Sequence, residues 1–185
     1  MGLIYYLYRM DEKQVKIQHY LQIYFKGEKQ QSMIFMLGGI LALTLGTLGM
    51  FYFETALWKG AATPFLVIGL VQLVVGSASY FRTNKQVSKL IEQLEDQTQI
   101  FFTEETARME KVLKDFKTYK AVVLLFFLLG FLFLMLGAFG GWGQFTLGSG
   151  VALLWQCGSI YLMDTLAEYR ADFYKLKLKK FDSKV

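Results

Sequence analysis

The stretch "MIFMLGGILALTLGTLGMFYF" (33–53) contains no Asp, Glu, Lys or Arg. A helix of about 20 residues rises roughly 30 Å, the thickness of one bilayer hydrocarbon core. Three further stretches meet the same test: Ala61–Phe81, Ala121–Gly140 and Phe145–Met163. Four uncharged apolar helices cannot be covered on all sides by the polar remainder of a 185-residue chain, so a soluble fold is excluded on size. The expectation is an all-α integral membrane protein with four transmembrane helices arranged as two tandem hairpins.

Composition agrees. The chain is 54% hydrophobic and 17% aromatic, with a positive mean hydropathy. A single cysteine, Cys157, excludes an intrachain disulfide, and His19 has no second histidine to share a metal with. The opening "MGLIYYLYRMDEK" has too short an apolar run for a secretory signal. Tyr6 also stands where myristoylation requires Ser or Thr.

The formal charge of +5 reads as topology. All of the 20 Lys and Arg residues except Lys59 lie before the first span, between the second and third, or after the fourth. That bias and the even span number predict both termini and the central segment on the cytoplasmic side, in a bacterial-type inner membrane. Nucleic acid is not an expected partner. Anionic inner-leaflet lipid is, with the tail residues Tyr169, Phe173, Lys175, Lys177, Lys179 and Lys180 as the surface for lipid or a protein partner. The outer side reduces to two short turns edged by Phe51, Trp58 and Trp142. Thr63-Pro64 predicts an N-cap and first helical residue for the second span.

The phrase "LTLGTLG" (43–49) returns as "LMLGAFG" (134–140), 91 positions later. Phe25, Lys26, Lys29 and Phe35 also recur as Phe116, Lys117, Lys120 and Phe126. The second spans agree at an offset of 80, Phe65 with Phe145 and Val71 with Val151, which predicts a first outer loop about eleven residues longer than the second. Each span carries small residues seven apart: Gly39 and Gly46, Gly69 and Gly76, Gly130 and Gly137, Gly150 and Cys157. Lipid offers no hydrophobic drive for helix association, so small residues that admit close backbone approach predict the packing seam.

Alternate steps of three and four continue outside the spans. They run through Gln14, Ile17, Leu21 and Tyr24, through Thr83, Val87, Leu90 and Leu94, and through Val112, Phe116 and Tyr119. After the fourth span the series is Leu162, Leu166, Tyr169, Phe173 and Leu176. These predict helices extended into a cytoplasmic coiled-coil-like stalk. Leu7 and Met10 carry the first series towards the N-terminus. The periodicity lapses between Gln97 and Thr106, where "TEE" (103–105) predicts a helix N-cap with an acidic first turn. The organisation expected is a cytoplasmic amphipathic helix (1–31), a transmembrane hairpin (32–82), a cytoplasmic helical hairpin (83–119), a second transmembrane hairpin (120–164) and a basic helical tail (165–185).

No catalytic constellation, cofactor motif or metal-ligand spacing stands out, and the spans hold none of the intramembrane charges of proton relays or voltage sensors. Gln72 and Gln156 are the costliest polar groups within them. The expected function is therefore non-enzymatic contact with another membrane protein, as an accessory subunit or an immunity-type neutraliser. Self-association into a homo-oligomeric pore, with Gln72 or Gln156 lining it, is the alternative.

Overall fold

The computed structural model describes residues 12–182. Within them the chain forms four helices: α1 (Glu12–Phe51), α2 (Ala56–Asp96), α3 (Thr98–Ala138) and α4 (Gly143–Asp182). All four are long and apolar enough to cross a membrane. At 40 or 41 residues each is about 60 Å long, twice what a bilayer core requires. Leu7 and Met10 lie outside the described residues.

The connections are short. Residues 52–55 join α1 to α2, and residues 139–142 join α3 to α4. The second turn is built on Gly141 (φ 73°) and Gly143 (φ 81°), a backbone conformation that side chains with a Cβ rarely adopt. Gln97 alone separates α2 from α3, with φ −139° and ψ 58°. The break therefore falls six residues before the expected "TEE" start. Thr103 is inside α3, its hydroxyl bonded to the Gln99 carbonyl at 3.2 Å.

Thr63-Pro64 does not begin a helix either. α2 starts at Ala56, behind Thr55 in an extended conformation, and Pro64 lies inside it. A proline here removes the N–H that would bond the Gly60 carbonyl. That carbonyl accepts instead from the Ser149 hydroxyl of α4 at 2.9 Å, so the lost bond is replaced from the neighbouring helix.

α1 packs chiefly along α2, α3 along α4, and the two pairs join through α2 and α4. Gly39 faces Gly69: a Cβ on Gly39 would lie 2.8 Å from the Gly69 carbonyl oxygen and 2.7 Å from Leu73 N. Gly130 meets Gly150 and Leu154 N in the same way at 3.3 and 3.1 Å. Gly46 opposes Leu66, and Gly137 opposes Leu147. Lys29 Nζ lies 4.8 Å from the Tyr80 ring centroid, and Lys120 Nζ 5.9 Å from that of Tyr161. These contacts superpose at an offset of 91 for α1 on α3 and 81 for α2 on α4.

The second offset is 81, one more than the identities at 80 suggested. In leucine- and valine-rich helices residue identities recur by chance, whereas backbone approach fixes register. The difference between the offsets is also not a longer outer loop. It is taken up as helix, because α1 continues to Phe51 and α2 begins at Ala56.

The largest buried side chains lie in the polar half, away from the four apolar stretches. Ile17, Leu21 and Phe25 of α1 meet Leu94 of α2, Phe101, Phe102 and Met109 of α3, and Tyr174 and Leu178 of α4. All four helices share that core. In the apolar half α2 and α4 are central, and the apolar stretch of α3 is almost uncovered.

Candidate interaction surface

The apolar half is held by close backbone approach. A Cβ on Gly60 would lie 1.9 Å from the Phe145 carbonyl oxygen, and one on Gly148 1.9 Å from that of Leu57. Only glycine fits at either point of this α2–α4 crossing. Gly76 backs onto Met36 and the Ser32 carbonyl, while Cys157 at its counterpart in α4 is buried. The hydroxyls of Thr44, Thr47, Ser77 and Ser159 each donate to the carbonyl four residues earlier and so ask nothing of another helix.

Gln72 and Gln156 are buried. The Gln72 Oε1 and the Gln156 Nε2 have no hydrogen-bond partner in the structure. At the offset of 81 that superposes the contacts, Gln156 aligns with Val75 and Gln72 with Leu153, so the two amides occupy different positions in the two helix pairs.

Where the helices leave the apolar zone, a polar cluster ties α1 to α3 and α4. Glu105, buried, pairs with Arg108 through two hydrogen bonds of 2.7 Å. The guanidinium lies 5.3 Å above the Phe25 ring. Burial opposes the charge on Arg108, but its bonds to Glu105 outweigh that and hold its pKa above the usual value. Tyr24 and Tyr174 stack at 4.9 Å, and burial raises the pKa of both hydroxyls. Arg170 reaches across to Gln31 Oε1, and Gln31 Nε2 donates to the Met163 carbonyl at 3.0 Å. Glu28 lies 3.7 Å from Arg82, and burial raises its pKa too.

Glu105 is not part of an acidic helix start, as "TEE" suggests, but a buried residue inside α3. The three-residue spacing to Arg108, flanked by Phe101, Phe102 and Met109, is the signal in the sequence that marks a buried pair.

The lysines of the α4 tail are engaged within the chain. Lys175 and Lys179 both reach Glu110 Oε1, at 3.3 and 3.0 Å, and hold that carboxyl below the usual carboxylate range. Lys177 Nζ lies over the Phe173 and Tyr20 rings at 4.8 and 5.1 Å. Lys180 also has an interaction partner.

The apolar face of α4 departs from the expected seam. Its core contacts come from Ala167, Ala171, Tyr174 and Leu178. Leu162, Leu166, Tyr169, Phe173 and Leu176 point outward, exposed by 67, 64, 74, 44 and 59%. The two small alanines let α4 approach closely, while the bulkier stripe is left outside; apolar spacing alone does not separate the two faces. No group of three or more potential metal ligands occurs among the described residues. Comparison of the chain with protein families, curated proteins and solved structures finds no match in any of the three.

Proposed function

We propose that this chain is a non-enzymatic, multi-pass membrane protein that acts by protein–protein contact through its cytoplasmic helices. In this reading the two helix pairs are tandem transmembrane hairpins of a duplicated unit, and the polar half is a stalk in the cytoplasm. The observation that carries it is the outward stripe Leu166, Tyr169, Phe173 and Leu176, four large apolar side chains at heptad spacing beyond the end of the apolar stretch, on a segment otherwise rich in charge. A contiguous apolar strip of this kind on a polar helix marks a protein-binding face.

Lipid contact through the tail is a weaker reading, because Lys175 and Lys179 are bound to Glu110 and Lys177 lies over aromatic rings. The test is co-purification of the full-length protein in mild detergent, comparing wild type with Tyr169→Glu. The expected result is a bound protein that the substitution releases while the four spans still insert. Equal recovery from both would count against the stripe as the contact face. Removing the tail is a poor substitute, since Tyr174 and Leu178 belong to the core.

A further inference from the structure

The stripe on α4 has the spacing of a coiled-coil seam. Steps of four and three place Leu162, Tyr169 and Leu176 at d positions and Leu166 and Phe173 at a positions. It extends into the apolar segment through Trp155, 71% exposed and one heptad before Leu162. Resting on the reading of the protein as one that works by contact, we infer that the occupant of this seam is α4 of a second copy of the same chain. The two helices run side by side and parallel about a two-fold axis along the membrane normal.

Depth excludes lipid as the cover. If the fourth span ends near Met163, a rise of 1.5 Å per residue puts Tyr169 about 9 Å and Leu176 about 20 Å beyond the hydrocarbon. The headgroup layer is only about 5–7 Å deep on each side. The outer two-thirds of the stripe therefore stands in water unless protein covers it.

Charge identifies that protein. In a parallel pair, a g residue faces the e residue of the next heptad on its partner, five positions on. Here g is Asp172 and e is Lys177. Neither has an ion pair among the described residues; Lys177 Nζ lies over the Phe173 and Tyr20 rings of its own chain, at the edge of the stripe, and must turn from them to pair across it. Five residues apart on one helix they do not face each other, but across the two-fold each meets the other's counterpart, giving two symmetric ion pairs. The preceding g and e residues are Thr165 and Arg170, which do not repel.

Area is consistent with this. Six large apolar side chains exposing about 100 Å² each, with the flanking Asp172 and Lys177, offer roughly 700 Å², close to the about 800 Å² per partner of a stable interface. Two copies inserted by the same charge bias have the same orientation, so the parallel arrangement is the one membrane insertion permits.

The test uses the full-length protein in membranes, with Cys157 replaced by Ser. Under mild oxidation Leu166→Cys and Phe173→Cys should each give a covalent dimer, and Ser88→Cys on α2 and Gln22→Cys on α1 should not. In reconstituted bilayers, Tyr169→Glu should weaken dimer association by more than about 10-fold. Asp172→Lys should weaken it about 10-fold by setting lysines against each other, and Asp172→Lys with Lys177→Asp should restore it. Cross-linking that is equal at all four positions, or association indifferent to Asp172→Lys, overturns the inference. A monomer that loses a different bound protein on Tyr169→Glu also overturns it, while leaving the contact reading in place. A monomer with no bound protein sensitive to the stripe overturns both.

Discussion

Adding one methyl group at Gly60 or Gly148 should separate the two helix pairs. At either position a Cβ would lie 1.9 Å from a backbone carbonyl oxygen of the facing helix, Phe145 in one case and Leu57 in the other. Ordinary contact begins near 3.4 Å, so the helices must part by more than an ångström, and backbone cannot rotate away as a side-chain tip can. Overpacking of this kind costs about 1–3 kcal/mol. The Ser149–Gly60 bond, 2.9 Å in the native crossing, would stretch beyond hydrogen-bonding range and remove about 1 kcal/mol more. Together these amount to about 2–4 kcal/mol, or a fall in Tm of roughly 5–15 °C for a chain of this size. Intrinsic tryptophan fluorescence of purified Gly60→Ala and Gly148→Ala on heating measures it. Gly38→Ala is the control, because its Cβ would meet only Gln72 Nε2 at 3.9 Å. Should both test variants melt within about 2 °C of the control, the α2–α4 crossing is not where the structure places it.

Other consequences can be checked on the same footing. Glu105→Ala should lower stability by about 2–4 kcal/mol by stranding the Arg108 guanidinium, and Glu105→Leu with Arg108→Met should recover most of it, as measured by thermal melting. Burial raises the Glu28 pKa, so the folded state holds that proton more tightly than the unfolded chain; the associated stability is full below the ordinary carboxylate value and lost as pH rises through the raised one. Glu28→Gln should therefore melt higher than wild type at pH 8, with the difference closing towards pH 4. Glu110 has the opposite sign: Lys179 and Lys175 lower its pKa, so Glu110→Gln should be destabilising at pH 7 and neutral in effect at low pH, read from the same melting series.

The existence of four long apolar helices was legible in the sequence because an uncharged run of span length has few alternatives in a short chain. Of the small residues spaced seven apart, Gly39, Gly69, Gly130 and Gly150 each lie where an added Cβ would meet the backbone of the facing helix. Register was not legible. Phe65 with Phe145 and Val71 with Val151 are plausible identities, yet the backbone aligns Leu66 with Leu147 and Gly69 with Gly150. Helix ends were misread at Pro64 and at "TEE", where local propensity was overridden by packing: Ser149 satisfies the carbonyl that the proline abandons, and Phe101 and Phe102 are drawn into the core. Tyr169 and Phe173 carry two expectations, the packing seam and the partner surface, because a heptad of large apolar residues looks alike on the inward and the outward side of a helix; the structure leaves both outward. Only the alanines at 167 and 171 mark the inward side.

The orientation of the chain is the claim on which the stalk, its docking face and the paired copies all depend. In a Cys157→Ser background, intact cells carrying Lys59→Cys, Ser88→Cys or Lys111→Cys are treated with a membrane-impermeant thiol reagent, before and after permeabilisation. Lys59→Cys should be labelled in intact cells, and Ser88→Cys and Lys111→Cys only once the membrane is opened. Labelling of Ser88→Cys or Lys111→Cys in intact cells, with Lys59→Cys protected, would contradict that orientation.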